Sequence, residues 1–179
     1  MVNALLIAAQ IIVACVGVYQ FAISLFGLAR RKPRRRHEPK HSFAVIVAAH
    51  NEERVIGALL ENLLSMDYPK ELYDIFVICD NCTDGTADVV RSYGVRACER
   101  RDPLKRGKGH AIEWMLGELW KMPRAYDAVV MFDADNLASP DFLRLMNDNL
   151  CEGRRVIQGY LDTKNPTDSW ITAAYGITY

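Results

Sequence analysis

The clearest chemical signal in the chain is a pair of aspartates, Asp133 and Asp135, in the sequence FDADN. They follow an apolar run at residues 128–132, which favours a buried strand. Carboxylates separated by one residue lie on the same side of an extended chain, and at a strand end they can share a hard divalent cation. Such a cation can bridge the oxygens of a diphosphate and stabilise the charge on a leaving phosphate. The pattern predicts a Mg²⁺ or Mn²⁺ site with both aspartates as ligands, although isolated DxD sequences also occur in ordinary acidic loops.

A second signal is the segment KRGKGH at residues 105–110, which places three cations and two glycines at the predicted start of a helix. Glycines let a backbone approach a ligand closely, and a helix start beside a lysine suits phosphate. The segment matches neither the Walker A pattern nor GxGxxG. It predicts a phosphate contact by Lys108, with a solvent-facing charged loop as the alternative.

The segment CDNCTDGT at residues 79–86 offers a CxxC pair and an aspartate. Two cysteines at this spacing occur in zinc and redox sites, but the chain has no second CxxC to complete a zinc site. Structural thiols are therefore the preferred interpretation of Cys79 and Cys82. Asp80 is the more informative residue, because a carboxylate at a strand end can accept hydrogen bonds from a base or a ribose.

Short apolar runs alternate with helical periodicity along residues 42–160. The predicted strands are residues 43–48, 73–79, 95–98, 128–132 and 155–160, with helices at 87–93 and 111–122 and two more capped by Asn51 and Ser139. Alternating strands and helices predict an α/β fold with a mostly parallel sheet and helices on both faces. Ligands bind at the carboxyl ends of such strands, which selects the loops 50–53, 80–86 and 133–136.

The first 29 residues contain no charged side chain, and a basic segment follows at once. The run is too long for a signal peptide core and is apolar all round, unlike a buried helix of a soluble protein. We therefore expect a transmembrane anchor at 1–29, a basic juxtamembrane linker at 30–41 that contacts membrane lipids, and a globular part at 42–179. The positive-inside rule predicts an outside N-terminus and a cytoplasmic domain at the plasma membrane.

The net charge of zero conceals an uneven distribution of charge. Residues 1–41 carry seven Lys/Arg and one acidic residue, which leaves 15 basic and 21 acidic residues for the rest of the chain. An acidic globular part argues against nucleic acid as a partner. The five cysteines are not expected to form disulfides in a reducing cytosol.

Four motifs in this order resemble the family 2 glycosyltransferases of the GT-A fold. They are VAAHNEE at 47–53, CDNCTDGT at 79–86, RGKGHA at 106–111 and FDADN at 132–136. The resemblance spans residues 43 to about 160. It implies inverting transfer of a sugar from a nucleotide-sugar, usually a UDP-sugar, to a polysaccharide or lipid acceptor. Members with an N-terminal anchor and a cytosolic domain make cell-surface polysaccharides or glycolipids.

The resemblance also implies a role for individual residues. Ala49 and Glu52 would line the uridine pocket, together with His50, which stands where the family often has tyrosine. Asp80 would contact the uracil, and Lys108 would lie near the nucleotide and its diphosphate. The acidic pair would serve the metal, with Asp133 facing the ribose or the Mg²⁺ or Mn²⁺ ion and Asp135 ligating the ion. Cys79 stands where the family often has the first aspartate of a pair.

The resemblance lacks one element. The family's catalytic base is an aspartate in an ED-type motif well after the DxD, and nothing similar follows residue 160. A base must lie within reach of the acceptor hydroxyl. We therefore expect the base beyond Tyr179, in a longer enzyme of which this sequence is the donor-binding part. The sequence leaves the donor sugar and the acceptor open.

Two alternatives of other classes remain open from the residues. A phosphatase of the haloacid-dehalogenase type also places DxD after an apolar strand and uses the first aspartate, here Asp133, as a nucleophile. A membrane-tethered nucleotide-binding module without catalysis is the second alternative. A dinucleotide oxidoreductase is disfavoured, because no glycine fingerprint follows the first strand.

Overall fold

The computed structural model describes residues 2–26 and 35–159, which fall in two compact units, Met1–Arg35 and Arg36–Tyr179. The described part of the first unit is helix α1, Val2–Phe26. Within it, Leu6–Leu25 is a 20-residue stretch with a mean hydropathy of 2.1. That length matches the ~20 residues needed to cross a bilayer. Length and composition make α1 a candidate membrane span, and a signal sequence meets the same criterion.

The second unit is built on a four-stranded parallel sheet. Its strands are β1 (Phe43–Ala49), β2 (Tyr73–Asp80), β3 (Arg96–Arg100) and β4 (Ala128–Asp133). Their order across the sheet is β3-β2-β1-β4. The predicted α/β fold with a parallel sheet is confirmed.

Helices cover both faces of this sheet. They are α2 (Ile56–Leu64), α3 (Thr86–Ser92), α4 (Lys108–Leu119) and α5 (Phe142–Cys151), with a short 3₁₀ helix at Lys70–Leu72. One core lies under α4, where Met115 and Leu119 pack with Ile46, Phe76 and Ile78. The opposite core is larger and buries α2, together with residues of α3 and α5.

The strand register decides which side chains share the face covered by α4. Side chains alternate along a strand, so Asp80 lies two residues beyond Ile78 on that face, and Cys79 lies on the other. Asp80 is paired in register with Arg100, and Ala48 with Asp133. The carboxyl ends of three strands therefore present a charged residue to the side of the sheet where α4 begins: Asp80, Arg100 and Asp133.

Several element boundaries differ from the predictions at this edge of the sheet. Strand β3 continues to Arg100, two residues beyond its predicted end at 98, and α4 begins at Lys108 rather than at residue 111. Asn51 does not cap α2, which begins at Ile56. Asn51 instead adopts a left-handed backbone (φ 58°), and its Oδ1 accepts a hydrogen bond from Thr83 N at 2.8 Å. The side chain is used to join two loops, so it is not available to the helix.

The prediction of a strand at 155–160 is wrong for residues 155–159, which form no strand; residue 160 lies outside the described part. Val156 is 94% exposed, so its side chain does not pack against the sheet. The cap predicted at Ser139 is also wrong, because α5 begins at Phe142 with Asp141 as its N-cap residue. Ser139 contributes its carbonyl oxygen, which accepts from Phe142 N at 3.0 Å.

Part of the predicted linker is fixed to the globular unit by a buried asparagine. Asn147 of α5 accepts hydrogen bonds at its Oδ1 from Lys40 N and His41 N (3.1 and 3.2 Å), and its Nδ2 donates to Glu38 O at 3.1 Å. Asp148 accepts from His37 N at 2.7 Å. Residues 37–41 are therefore an ordered part of the unit that follows them, whereas residues 30–34 lie outside the described part.

Candidate functional site

A cleft of about 290 Å³ opens at the carboxyl edge of the sheet, on the face where α4 begins. It is lined by Ala48, Ala49, His50, Glu52, Asp80, Asn81, Arg106, Gly107, Lys108 and Ala111. Five of the predicted donor-binding residues, from three separate motifs, are among them: Ala49, His50, Glu52, Asp80 and Lys108. The fold brings these residues together because β1 and β2 are neighbours in the sheet and α4 starts beside their ends.

Asp80 is the most buried charged residue of the cleft, with 10% of its side chain exposed. Its Oδ1 accepts a hydrogen bond from Arg100 Nη1 at 2.6 Å and from Asn81 Nδ2 at 3.0 Å. No residue of the described ranges donates to its Oδ2. A carboxylate oxygen can only accept hydrogen bonds, so Oδ2 suits an N–H or O–H group of a ligand in the cleft.

The loop after β1 is held against the loop after β2 by a set of short contacts. His50 Nδ1 donates to Asp80 O at 2.6 Å, which fixes the imidazole beside the carboxylate. Glu52 N donates to Thr86 Oγ1 at 2.9 Å, and Glu53 Oε2 accepts from Gly85 N at 3.0 Å. The two loops therefore form one wall; the sequence predicted both as ligand-binding loops but not the contacts that join them.

The first turn of α4 supplies the positive part of the site. Gly107, the N-cap residue, has a φ of 108°, a conformation that residues with a Cβ rarely adopt. The N–H groups at the start of a helix have no intrahelical partner, and the helix dipole favours an anion there. Lys108 adds a full charge and Arg106 lines the same cleft. This arrangement can bind phosphate oxygens.

The two aspartates of the DxD motif lie at the end of β4, just beyond the cleft. Asp133 forms an ion pair with Lys108, and both aspartates line a neighbouring groove of about 670 Å³ that runs along β4. The prediction that both lie on an extended chain is wrong, because Asn136 N donates to Asp133 O at 3.1 Å and closes a turn around Asp135. Both remain exposed; Asp133 is the last residue of β4 and keeps its strand orientation, whereas the orientation of Asp135 is set by that turn.

The donor set is chemically suited to a hard cation. Two carboxylates supply the oxygen ligands that Mg²⁺ and Mn²⁺ prefer, and Mg²⁺ is commonly bound by one or two carboxylates together with substrate phosphates. Within residues 2–26 and 35–159, no group of three or more His, Cys, Asp or Glu residues is placed to hold a metal ion. A cation bound by Asp133 and Asp135 would therefore take its further ligands from phosphate and water.

The cysteines after β2 are poor candidates for redox or metal chemistry. Burial raises the pKa of Cys79 to about 12, with a further contribution from the nearby Cys82. Burial also raises the pKa of Cys82, whose Sγ lies 3.6 Å from Ala49 O and 3.5 Å from Asn51 N. The reactive form of cysteine is the thiolate, which a raised pKa disfavours at both positions. Their contacts are consistent with the structural interpretation.

Two residues important to the cleft were not singled out from the sequence. Arg100 forms the ion pair with Asp80, and Asn81 links the same carboxylate to Asp102, whose N donates to Asn81 Oδ1 at 2.9 Å. Asn81 has a left-handed backbone (φ 51°), which an asparagine directly after a strand could have suggested. Arg100 gave no such signal, because its position opposite Asp80 depends on the pairing of β2 with β3.

A parallel α/β sheet, a cleft at its carboxyl edge beside a helix start suited to phosphate, and a nearby DxD pair are the features expected of a GT-A type of protein. The family model described as "Glycosyltransferase like family 2" matches residues 39–179. The chain belongs to this family. That membership separates it from the haloacid-dehalogenase phosphatases.

Named relatives of the chain include enzymes that glycosylate lipids. It is 32% identical over 109 residues to a beta-monoglucosyldiacylglycerol synthase of Nostoc sp., which covers 56% of this chain and 21% of the synthase. It is 38% identical over 88 residues to a 4,4'-diaponeurosporenoate glycosyltransferase of Staphylococcus aureus, covering 43% and 23% of the two chains. The chain therefore spans about a fifth to a quarter of the length of these curated relatives.

A solved structure shares the fold and includes a donor and a metal ion. This is a mannosyltransferase of Pyrobaculum calidifontis in complex with GDP-Man and Mn²⁺. Its TM-score is 0.51 at 28% identity, and the match covers 64% of this chain and 34% of that one. The likeness confirms the GT-A fold of the second unit.

Proposed function

We propose that this chain carries the donor-binding part of a membrane-associated glycosyltransferase that uses a UDP-sugar. The observation that carries the proposal is the convergence of three groups at one edge of the sheet. These are the Asp80 carboxylate in the cleft, Lys108 at the start of α4, and the Asp133–Asp135 pair beside them. The three groups follow one another in the same order as the base, the diphosphate and the metal ion of a bound nucleotide-sugar.

Each of the three groups contacts a different part of the donor. Asp80 accepts a hydrogen bond from the ring N–H of uracil. The wall beside the nucleoside is formed by His50, Ala49 and Glu52. The free N–H groups of α4 and the Lys108 ammonium hold the diphosphate and stabilise its charge as the sugar leaves. A cation held by Asp133 and Asp135 would supply Lewis-acid stabilisation of the leaving diphosphate.

We infer that the acceptor is a saccharide or a lipid, and that a glycolipid product fits best. The named relatives are a beta-monoglucosyldiacylglycerol synthase and a 4,4'-diaponeurosporenoate glycosyltransferase, and α1 has the length and hydropathy of a membrane span. We propose an anchor at 1–29, a linker at 30–41 and a donor-binding part at 42–179 on the cytosolic face of the plasma membrane, with the N-terminus outside. Inverting transfer and a base beyond Tyr179 follow from the family resemblance.

The proposal is tested by nucleotide binding to the full 179-residue chain in detergent. We expect calorimetry with Mn²⁺ to show binding of UDP and of UDP-sugars, with CDP and ADP bound much more weakly. Asp80→Asn should weaken UDP binding with or without Mn²⁺, because the base contact does not involve the cation. Failure of the folded chain to bind UDP under any of these conditions would favour a non-catalytic module of another kind.

A further inference from the structure

We propose that Arg100 is a positioning residue that determines which nucleobase the cleft selects. It holds the Asp80 carboxylate so that its second oxygen faces the ligand as a hydrogen-bond acceptor, and it ties this carboxylate to the phosphate-binding loop. The inference rests on the proposed function, because it assumes that a nucleoside diphosphate occupies the cleft. It adds a residue that does not line the cleft.

The position of Arg100 follows from the sheet. It is the last residue of β3 and is paired in register with Asp80, the last residue of β2. Its side chain is 6% exposed, so the guanidinium is even less accessible than the Asp80 carboxylate that it contacts, which is 10% exposed. Nη1 donates to Asp80 Oδ1 at 2.6 Å. A short charge-assisted hydrogen bond between two buried groups fixes the carboxylate far better than an exposed ion pair would.

The hydrogen bonds to Asp80 are divided unequally between its two oxygens. Both donors, Arg100 Nη1 and Asn81 Nδ2, are on Oδ1, and Oδ2 receives none from the residues that the structure describes. The oxygen left for a ligand can therefore only accept. Uracil presents N–H at ring position 3, whereas cytosine presents a lone pair at that position. A fixed carboxylate oxygen accordingly attracts the first base and repels the second.

Arg100 also connects the nucleobase end of the cleft to its phosphate end. Its Nη2 donates to Lys105 O at 2.8 Å and to Asp102 Oδ2 at 3.2 Å. Asp102 in turn accepts from Leu104 N and Lys105 N at its Oδ1, at 3.1 and 3.0 Å. Two residues later the chain reaches Gly107 and the first turn of α4. One buried guanidinium thus sets the position of Asp80 and of the loop that leads to Lys108.

The geometry explains why a lysine could not replace this arginine fully. A guanidinium presents donors in a fixed planar fork, so one side chain can bond Asp80, Asp102 and a backbone carbonyl together. An ammonium could keep the charge next to Asp80 but would lose part of this bridge. Charge and geometry can therefore be separated experimentally with Arg100→Lys and Arg100→Met.

The test measures UDP and CDP affinity by calorimetry, with Mn²⁺, in the full chain and its variants. We expect Arg100→Met to lower the ratio of UDP to CDP affinity by about 10-fold or more, as for loss of a contact to a charged group. Arg100→Lys should restore part of the ratio. The matched control is Arg101→Met, since the neighbouring Arg101 is 81% exposed and lies 3.9 Å from Glu99; it should leave the ratio unchanged.

A purely structural role for Arg100 predicts a different result. It would weaken UDP and CDP binding equally and leave their ratio intact, which would overturn the inference. Adding Arg100→Met to Asp80→Asn should not change the ratio further if Arg100 acts through Asp80, and a further drop would also contradict it. If Arg100→Met does not fold, as judged by its thermal unfolding, Arg100→Lys and Asp80→Asn decide the matter. Absence of UDP binding by the parent chain would instead refute the proposed function.

Discussion

Lys108, the first residue of α4, forms an ion pair with Asp133, the last residue of β4. Their side chains are 52% and 51% exposed, so solvent screens the pair and it adds little to stability. The pair is informative for its placement, because it joins the helix start proposed to bind phosphate to the predicted metal ligands. Each of the two charges has the other as its ion-pair partner. A diphosphate and a cation would replace this single contact with one partner for each charge.

We expect Lys108→Met to weaken UDP binding by about 10-fold with little change in thermal stability, because the ammonium contacts phosphate and its present pair is exposed. Calorimetry with Mn²⁺ gives the affinity. Lys121→Met is the matched control, since Lys121 is 71% exposed and pairs with Glu118 near the other end of α4. Equal UDP affinity in the Lys108 variant and its control would contradict a phosphate role for Lys108.

Cys79 should resist alkylation in the folded chain. Burial raises its pKa to about 12, so at about pH 8 the thiol remains protonated and shielded. Peptide mapping after treatment with iodoacetamide should show Cys79 modified only when denaturant is present. Modification of Cys79 at the same rate with and without denaturant would show that this thiol is reactive, and would revive a redox function for the CxxC segment.

The chain should become less stable in acid, because Asp127 becomes protonated there. A hydrogen bond from Ser42 N at 2.7 Å, with the Ser42 hydroxyl at 2.9 Å and nearby His41, holds the pKa of Asp127 below its ordinary value of 3.8. A depressed carboxyl pKa contributes stability that is present above the unfolded-state pKa and is lost as pH falls through the folded-state value.

Urea unfolding measured between about pH 5 and pH 2 tests this prediction. Asp127→Asn should unfold more easily near pH 5 and should show a flatter loss of stability in acid. Ser42→Ala removes the hydroxyl donor but keeps the backbone donor, so its profile should lie between those of the parent chain and Asp127→Asn. Identical acid profiles for the parent and Asp127→Asn would exclude Asp127 as a source of acid sensitivity.

Asn147→Ala should destabilise the chain by about 2–3 kcal/mol, because it removes the shared partner of Lys40 N, His41 N and Glu38 O from a fully buried position. Asn149→Ala is the matched control. Asn149 is also buried, but its amide donates only to Leu145 O within α5, so its loss should cost less. Equal destabilisation by the two substitutions would show that the contact with residues 37–41 adds nothing.

The parts of the fold that could be predicted are those encoded by local patterns. Apolar runs located β1 and β2, because a buried parallel strand must be apolar on both faces. An apolar run also located β4, but the prediction that it is buried is wrong, since Val129 and Met131 are exposed. The motif order then placed Asp80 and the DxD pair at strand ends. Lys108 was singled out because glycines flank it, although its helix begins three residues earlier than predicted.

The parts that could not be predicted depend on partners distant in sequence. Arg100 resembles any charged loop residue until the β2–β3 register places it opposite Asp80. Asn147 lies in a helix where an apolar residue would be expected, and its partners are distant in sequence: the backbone of residues 38–41 and the Tyr68 hydroxyl. Asn51 is a residue type that commonly caps helices, but its side chain instead accepts a hydrogen bond from the loop after β2.

The most direct test of the central claim is the Mn²⁺ dependence of UDP binding in Asp135→Asn. The parent chain should bind UDP at least about 10-fold more tightly with Mn²⁺ than without it, because a cation held by Asp133 and Asp135 would offset the charge of the diphosphate. Asp135→Asn should bind UDP equally with and without Mn²⁺, whereas Asp141→Asn, at an exposed N-cap position of α5, should behave as the parent. Full Mn²⁺ enhancement in Asp135→Asn would contradict the assignment of the DxD pair as the metal site.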